Sequence, residues 1–179
     1  MPNWAEGTIS VTGRKESVLN FTRRFIYEDV ESHNKDAYFF ARSFPRTTWG
    51  EKANEIEDLY NGLLPDTEAT YVMNVDFAWS AHKYLLDGYP TRFPDCASLG
   101  DACMQDSVTA EIHAEETDTG FEEYIACGKT GNVTYHDQNM PTYVCPACGC
   151  ALYLSSHTDI DEYVCPYCEN VGFKPQSAG

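Results

Sequence analysis

The chain has 179 residues, 42% of them hydrophobic and 22% charged, which suits one compact domain with a small module and excludes an extended disordered chain. Its formal net charge is −16, and residues 1–50 hold seven of the twelve Lys and Arg but only six of the 28 acids. The acidic remainder repels nucleic-acid backbones and anionic membranes and attracts basic partners. A plainer role of the same charge is to keep a small protein soluble.

The first half of the chain predicts strands alternating with helices. Residues 8–12 alternate apolar and polar side chains, as in a half-buried strand, and the following segment carries apolar residues from Val18 to Ile26 on one helical stripe. Residues 37–44 form an aromatic strand stopped by Pro45, and residues 49–63 have helical apolar spacing. Residues 71–79 are the clearest strand, because every second residue is apolar.

The second half predicts two short helices, a strand and a hairpin. Ser80 can cap a helix to residue 86, and Ser98 with Asp101 forms a capping box for a helix to residue 104. A strand follows over residues 108–114, and residues 121–127 and 132–136 flank a Gly-Lys-Thr-Gly turn. The economical arrangement is an α+β domain with about six strands and helices on one face. It spans residues 1–138, and the turn-rich residues 137–142 lead into a module at 139–179.

The clearest functional motif is a pair of Cys-x-x-Cys knuckles near the C-terminus, Cys145/Cys148 and Cys165/Cys168. Each knuckle points two thiolates at one centre, and four thiolates complete a tetrahedral Zn²⁺ shell. We predict a zinc ribbon, because so short a segment buries too little apolar area to fold alone. Gly149 supplies the left-handed conformation that such a knuckle needs, and Asn170 is the nearest tolerant residue in the second one.

The remaining cysteines and histidines give weaker signals. Cys150 and His157 are spare donors that we treat as bystanders, because four thiolates already satisfy the metal. The alternative interpretations of the knuckles are a redox dithiol pair or two disulfides, although a redox motif would need a single Cys-x-x-Cys at a helix start. Three further cysteines are expected to be small buried hydrophobes: Cys96, Cys103 and Cys127.

No catalytic constellation is evident in the sequence, and we expect a protein that is not an enzyme. His113 lies between Glu111 and Glu115 on a predicted strand, so the three side chains share a polar face. That arrangement fits an acid–base or metal site, but a solvated sheet face is the favoured explanation. His82 and His136 have no evident partner in the sequence.

An acid-rich stretch is the predicted partner-binding surface. Seven acids occur within eighteen residues that contain no Lys or Arg. If residues 108–127 form adjacent strands, the carboxylates line one edge at phosphate-like separations; the alternative is an edge protected by charge against aggregation. The seven acids are Asp106, Glu111, Glu115, Glu116, Asp118, Glu122 and Glu123.

Four segments carry a family resemblance: residues 1–8, 38–44, 75–81 and 120–125. With its opening Met-Pro-Asn-Trp, the chain resembles phage- and plasmid-borne proteins of the YubB ferredoxin-like family over most of residues 1–136. The resemblance implies an α+β fold of ferredoxin-like type and an origin in mobile DNA, but no reaction. Family members often have Cys where this chain has Ala5, so a role tied to that thiol does not carry over.

Together these features predict a non-enzymatic, zinc-binding interaction protein of a phage or mobile element. The sharp hypothesis is a DNA mimic of anti-CRISPR type, whose acids occupy the basic groove of a restriction or CRISPR nuclease. The alternative is a nucleic-acid-binding accessory protein that uses the zinc ribbon, although residues 141–179 hold one basic residue, Lys174, against four acids. Because the sequence has neither a signal peptide nor a membrane span, we expect the cytoplasm of a bacterial host.

Overall fold

The computed structural model describes residues 4–28, 37–39, 45–47, 60–78, 80–82, 98–155 and 158–175. These residues form two helices and eleven strands, in an α+β arrangement. In chain order the elements are β1 (Trp4–Arg14), α1 (Lys15–Phe25), β2 (Ile26–Glu28), β3 (Ala37–Phe39), β4 (Pro45–Thr47), β5 (Glu68–Ala78), α2 (Leu99–Asp106), β6 (Thr109–Glu116), β7 (Phe121–Cys127), β8 (Val133–Asn139), β9 (Thr142–Val144), β10 (Ala151–Tyr153) and β11 (Lys174–Pro175).

The main sheet has the strand order β2-β3-β4-β5-β1-β6-β7-β8, and every neighbouring pair is antiparallel. Of its five long strands, β5, β1 and β6 carry the predicted alternation of buried and more exposed residues, β7 departs from it at the adjacent buried Glu122 and Glu123, and β8 has no buried residue. The sheet has eight strands, whereas the sequence predicts about six. The added strands are only three residues long, too short for an alternating pattern to predict them.

One face of the sheet is buried beneath the helices. Ile9 pairs with Ile112 across β1 and β6, and both side chains are almost fully buried. Phe21 of α1 and Leu99 of α2 join the same apolar cluster, so both helices cover this face. Alternate residues of the long strands point to the opposite side, which we call the open face; it carries Glu6, His113 and Tyr124 among others.

Helix α2 confirms the predicted capping box. The Ser98 hydroxyl accepts from the Asp101 backbone N–H at 3.1 Å, and the Asp101 carboxylate accepts from the Ser98 backbone N–H at 3.4 Å. The helix extends two residues beyond the predicted end at 104, and it stops at Ser107, which has a left-handed φ of 57°. The Gly-Lys-Thr-Gly turn is also confirmed, because the Gly131 N–H donates to the Gly128 carbonyl at 2.9 Å.

Other predicted elements differ from the structure or lie partly outside the described residues. Residues 60–62 form a turn where the sequence predicts the end of a helix, and the preceding part, 49–59, is outside the described residues. Also outside the described residues are residues 83–86 of the third predicted helix and residues 40–44 of the aromatic strand. Strand β8 continues into the predicted turn at 137–142 and ends at Asn139, because its ladder with β7 extends to the pair Phe121–Asn139.

The C-terminal residues form a second, smaller unit with its own sheet, in the order β10-β9-β11. Its core contains Leu154, Phe173 and the buried thiols of Cys145 and Cys165, and it shares no residue with the core of the main sheet. We call residues 142–175 the C-terminal module. Within the described residues, no helix is long and apolar enough to span a membrane.

Candidate metal centre and acidic residues

The two cysteine knuckles of the C-terminal module have the same backbone geometry. In the first, the Gly149 N–H donates to the Cys145 carbonyl at 2.9 Å, and the Cys145 N–H donates to the Cys150 carbonyl at 2.9 Å. These bonds fold the Cys-x-x-Cys segment into a tight turn. Gly149 has a φ of 74°, as the sequence predicts.

The second knuckle repeats these bonds twenty residues later. The Glu169 N–H donates to the Cys165 carbonyl at 2.9 Å, and the Cys165 N–H donates to the Asn170 carbonyl at 2.8 Å. Glu169, with a φ of 58°, takes the left-handed position, so the prediction that Asn170 fills it is wrong. The left-handed conformation belongs to the residue directly after the second cysteine of each knuckle. The N–H of that residue donates to the carbonyl of the first cysteine.

The knuckles bring five sulfur atoms together. Cys145 Sγ lies 3.6 Å from Cys168 Sγ, and Cys148 Sγ lies 3.8 Å from Cys165 Sγ. Cys150 Sγ lies 3.4 Å from Cys165 Sγ, and the sulfurs of Cys145, Cys148, Cys150 and Cys165 are all within 4.8 Å of one another. Sulfurs about 2.3 Å from a tetrahedral Zn²⁺ are about 3.8 Å apart, which matches these separations.

Hydrogen bonds in the knuckles favour the thiolate form of two cysteines. The backbone N–H and the thiol of Cys150 lower the pKa of Cys148. Burial opposes ionisation of Cys165, but the N–H groups of Tyr167 and Cys168 and the Cys150 thiol outweigh it and lower the pKa of Cys165 to about 6. Thiolates are the form that binds metals, and binding releases the protons of the remaining thiols.

The donor set therefore fits a structural metal ion. Soft thiolate sulfurs on two facing turns select Zn²⁺ or similar thiophilic ions over Mg²⁺ and Ca²⁺. The predicted ligands Cys145, Cys148 and Cys165 converge, and Cys168 lies beside Cys145. Cys150 is also in the cluster, although from the sequence it is treated as a bystander because four thiolates already satisfy the metal. Its position directly after Gly149 is the signal that could have found it.

The seven acids predicted as a partner-binding strip do not form one exposed edge. Glu111 and Asp118 are exposed and Glu115 is half-buried, whereas the other four are buried: Asp106, Glu116, Glu122 and Glu123. Adjacent residues of a strand point to opposite faces, so Glu122 and Glu123 cannot belong to the same surface. Glu116 accepts from the backbone N–H groups of Asp118 and Thr119, which stabilises the turn before β7.

Glu123 lies on the helix-covered face and is the centre of a buried network. Its carboxylate accepts from the Ser80 hydroxyl at 2.8 Å, the Ala81 N–H at 2.5 Å and the Tyr135 hydroxyl at 3.1 Å. His82 Nδ1 lies 2.5 Å from Glu123 Oε1, within hydrogen-bond distance. Burial and the Glu123 charge raise the pKa of Tyr135, so its hydroxyl remains a donor. Glu123 thus anchors residues 80–82 to the sheet.

The sequence does not predict this network. His82 is 41 residues from Glu123, and no spacing rule links it to a strand so far along the chain. The only local sign is an acidic residue, Glu123, at an inward-facing position of β7, where an apolar side chain would be expected.

Glu122 lies on the open face among polar and aromatic side chains. It accepts from the Tyr124 hydroxyl at 2.5 Å and the Gln138 amide at 3.3 Å, and its Oε2 lies 3.8 Å from His113 Nε2. The same His113 nitrogen is 3.3 Å from Glu115 Oε1, so the predicted grouping of His113 with Glu115 is confirmed. The His113 and Tyr124 rings stack at 4.4 Å.

These rings line a shallow cleft of about 340 Å³ on the open face, together with Thr8, Ser10 and His136. Glu111 also borders it.

Of the three cysteines expected to be buried, Cys103 and Cys127 lie in the main core, and their mutual hydrogen bond raises the pKa of Cys103 and lowers that of Cys127. Cys96 and His157 lie outside the described residues.

Comparison with known proteins gave no match to a family model, a curated protein or a solved structure. The resemblance to YubB-type proteins thus stays a prediction, and the function must be argued from the geometry described above.

Proposed function

We propose that this chain is a zinc-binding interaction protein in which the metal is structural. The observation that carries the proposal is the convergence of five cysteine sulfurs from two equivalent knuckles. A closed shell of four thiolates has no position left for a substrate, which favours a non-enzymatic role for the ion. Free thiols at this density suit a reducing compartment such as a bacterial cytoplasm.

Elemental analysis of the purified full chain tests the metal. We expect one zinc per chain after dialysis against metal-free buffer, and none in a variant with Cys148 and Cys165 both changed to Ser. A wild-type chain that retains no stoichiometric metal, and takes up none when Zn²⁺ is added, would contradict the proposal.

For the partner, we propose a protein with a basic groove, in the manner of a phage-encoded inhibitor of a nuclease. The net charge of −16 supports attraction to such a groove. Since four of the seven predicted acids are buried, we place the binding surface on the open face, where Glu6 and Glu111 are exposed and Glu115 is half-buried. A ferredoxin-like grouping and an origin in mobile DNA are part of the same proposal and rest on the resemblance of residues 1–136.

This interaction should depend steeply on salt. Binding of the immobilised chain to a purified CRISPR or restriction nuclease should weaken at least about tenfold between 50 and 200 mM salt, and duplex DNA should compete with it. Neutralising the open face with Glu6→Gln, Glu111→Gln and Glu115→Gln should have a similar effect. The matched control removes equal charge from the C-terminal module, with Asp159→Asn, Asp161→Asn and Glu162→Gln.

Two results would contradict this partner proposal. One is binding that does not change with salt, and the other is a ternary complex in which nucleic acid remains in the nuclease groove. If the chain itself retards DNA in a gel-shift assay, the alternative of a nucleic-acid-binding accessory protein is favoured. Lys174 is exposed on β11 and would be the first residue to change in that case.

A further inference from the structure

We propose that Cys150 and Cys168 exchange as the fourth ligand of the metal, so that two four-thiolate sets share Cys145, Cys148 and Cys165. This inference rests on the proposed metal-binding function and adds to it a site with one ligand in excess. In each set four sulfurs hold the ion, and the fifth cysteine remains a thiol beside it.

A short sulfur–sulfur distance places each candidate ligand beside one of the shared cysteines. Cys150 Sγ lies 3.4 Å from Cys165 Sγ, and Cys168 Sγ lies 3.6 Å from Cys145 Sγ. Both separations are near the edge of about 3.8 Å expected for a tetrahedral thiolate site. Cys150 also belongs to the group of four sulfurs that are mutually within 4.8 Å, so it is no more remote than the motif cysteines.

The two candidate ligands are positioned by different parts of the module. Cys150 is half-buried against the small core, and its carbonyl is fixed by the Cys145 N–H. Cys168 is exposed at the end of the second knuckle. Exchange therefore alters which thiol is accessible, while the three shared cysteines keep the knuckles together.

Serine variants of the full chain test the proposal, with Co²⁺ and Zn²⁺ as the probes. We expect Cys150→Ser and Cys168→Ser each to keep metal affinity within about tenfold of the wild type, because each retains one complete set. The double variant should lose at least about 100-fold, more than the loss of an outer-shell contact would cause. Cys148→Ser is the matched control, since it removes a shared ligand and should behave like the double variant.

The Co²⁺ charge-transfer absorbance counts the thiolates and should show four in the wild type and in both single variants. If one single variant loses as much affinity as Cys148→Ser, its cysteine is a fixed ligand and the exchange is overturned. The exchange is also overturned if both single variants lose as much affinity as Cys148→Ser. A wild-type chain that binds neither ion instead overturns the proposed function itself, so the two failures are distinguishable.

A second measurement needs no variant. Limited alkylation of the zinc-loaded wild type with iodoacetamide, followed by tandem mass spectrometry, should place the label on both Cys150 and Cys168. Label confined to either one of them would overturn the proposal.

Discussion

Removal of the metal is expected to unfold the C-terminal module and to leave the main sheet intact. The module's core consists of a few residues, among them Leu154, Phe173 and the ligand thiols, and metal binding supplies roughly 10–16 kcal/mol in modules of this kind. The main sheet has a separate core, so it does not depend on the ion.

Hydrogen–deuterium exchange measures this directly. In the presence of a strong chelator, amides of β9 and β10 should exchange rapidly, whereas those of β6 and β7 should stay protected. Adding Zn²⁺ in excess of the chelator should restore protection and serves as the control. Loss of protection across both units, or no loss in either, would contradict the expected independence of the two cores.

The second large effect is expected for Glu123. Glu123→Ala should lower the free energy of unfolding by about 3–5 kcal/mol, because it leaves the buried donors of Ser80 and Ala81 and the His82 ring without their common acceptor. Glu123→Gln retains the shape and one carbonyl oxygen, so its effect should be smaller. Equilibrium urea unfolding of the zinc-loaded chain measures both.

Glu111→Ala is the matched control, because it removes an exposed carboxylate from the neighbouring strand. Its effect should stay within about 0.5 kcal/mol. If Glu123→Ala falls in that same range, the carboxylate is not the anchor of residues 80–82.

The sequence predicts local features of this fold well and distant contacts poorly. Inward-facing Tyr71, Met73, Val75 and Phe77 follow from a period of two, and the Ser98 cap follows from a four-residue signature. In contrast, the burial of Glu122 and Glu123 depends on partners up to 43 residues away, which no local pattern encodes. The seven predicted acids do not form one exposed edge for the same reason, because acids close in sequence alternate between the two faces of a strand.

The same distinction applies to the metal centre. The Cys-x-x-Cys spacing identifies both knuckles, because each turn is made within six residues. The position of Cys150 depends on how strand β10 leaves the first knuckle, and the left-handed residue of the second knuckle depends on its backbone bonds. Those are properties of the folded turn, and residue preference alone did not predict them.

Gly120 lies in close contact with Tyr153, so the turn before β7 meets strand β10 of the C-terminal module. Gly120, in the turn before β7, has a φ of 72°, and a Cβ there would stand 2.6 Å from Tyr153 Cγ. The Gly120 carbonyl also accepts from the Met140 N–H at 2.7 Å. The Tyr153 ring of strand β10 thus packs directly against the backbone of this turn, and a larger residue at position 120 would displace the ring. A glycine well outside both cysteine motifs therefore allows the C-terminal module to place Tyr153 against the turn before β7.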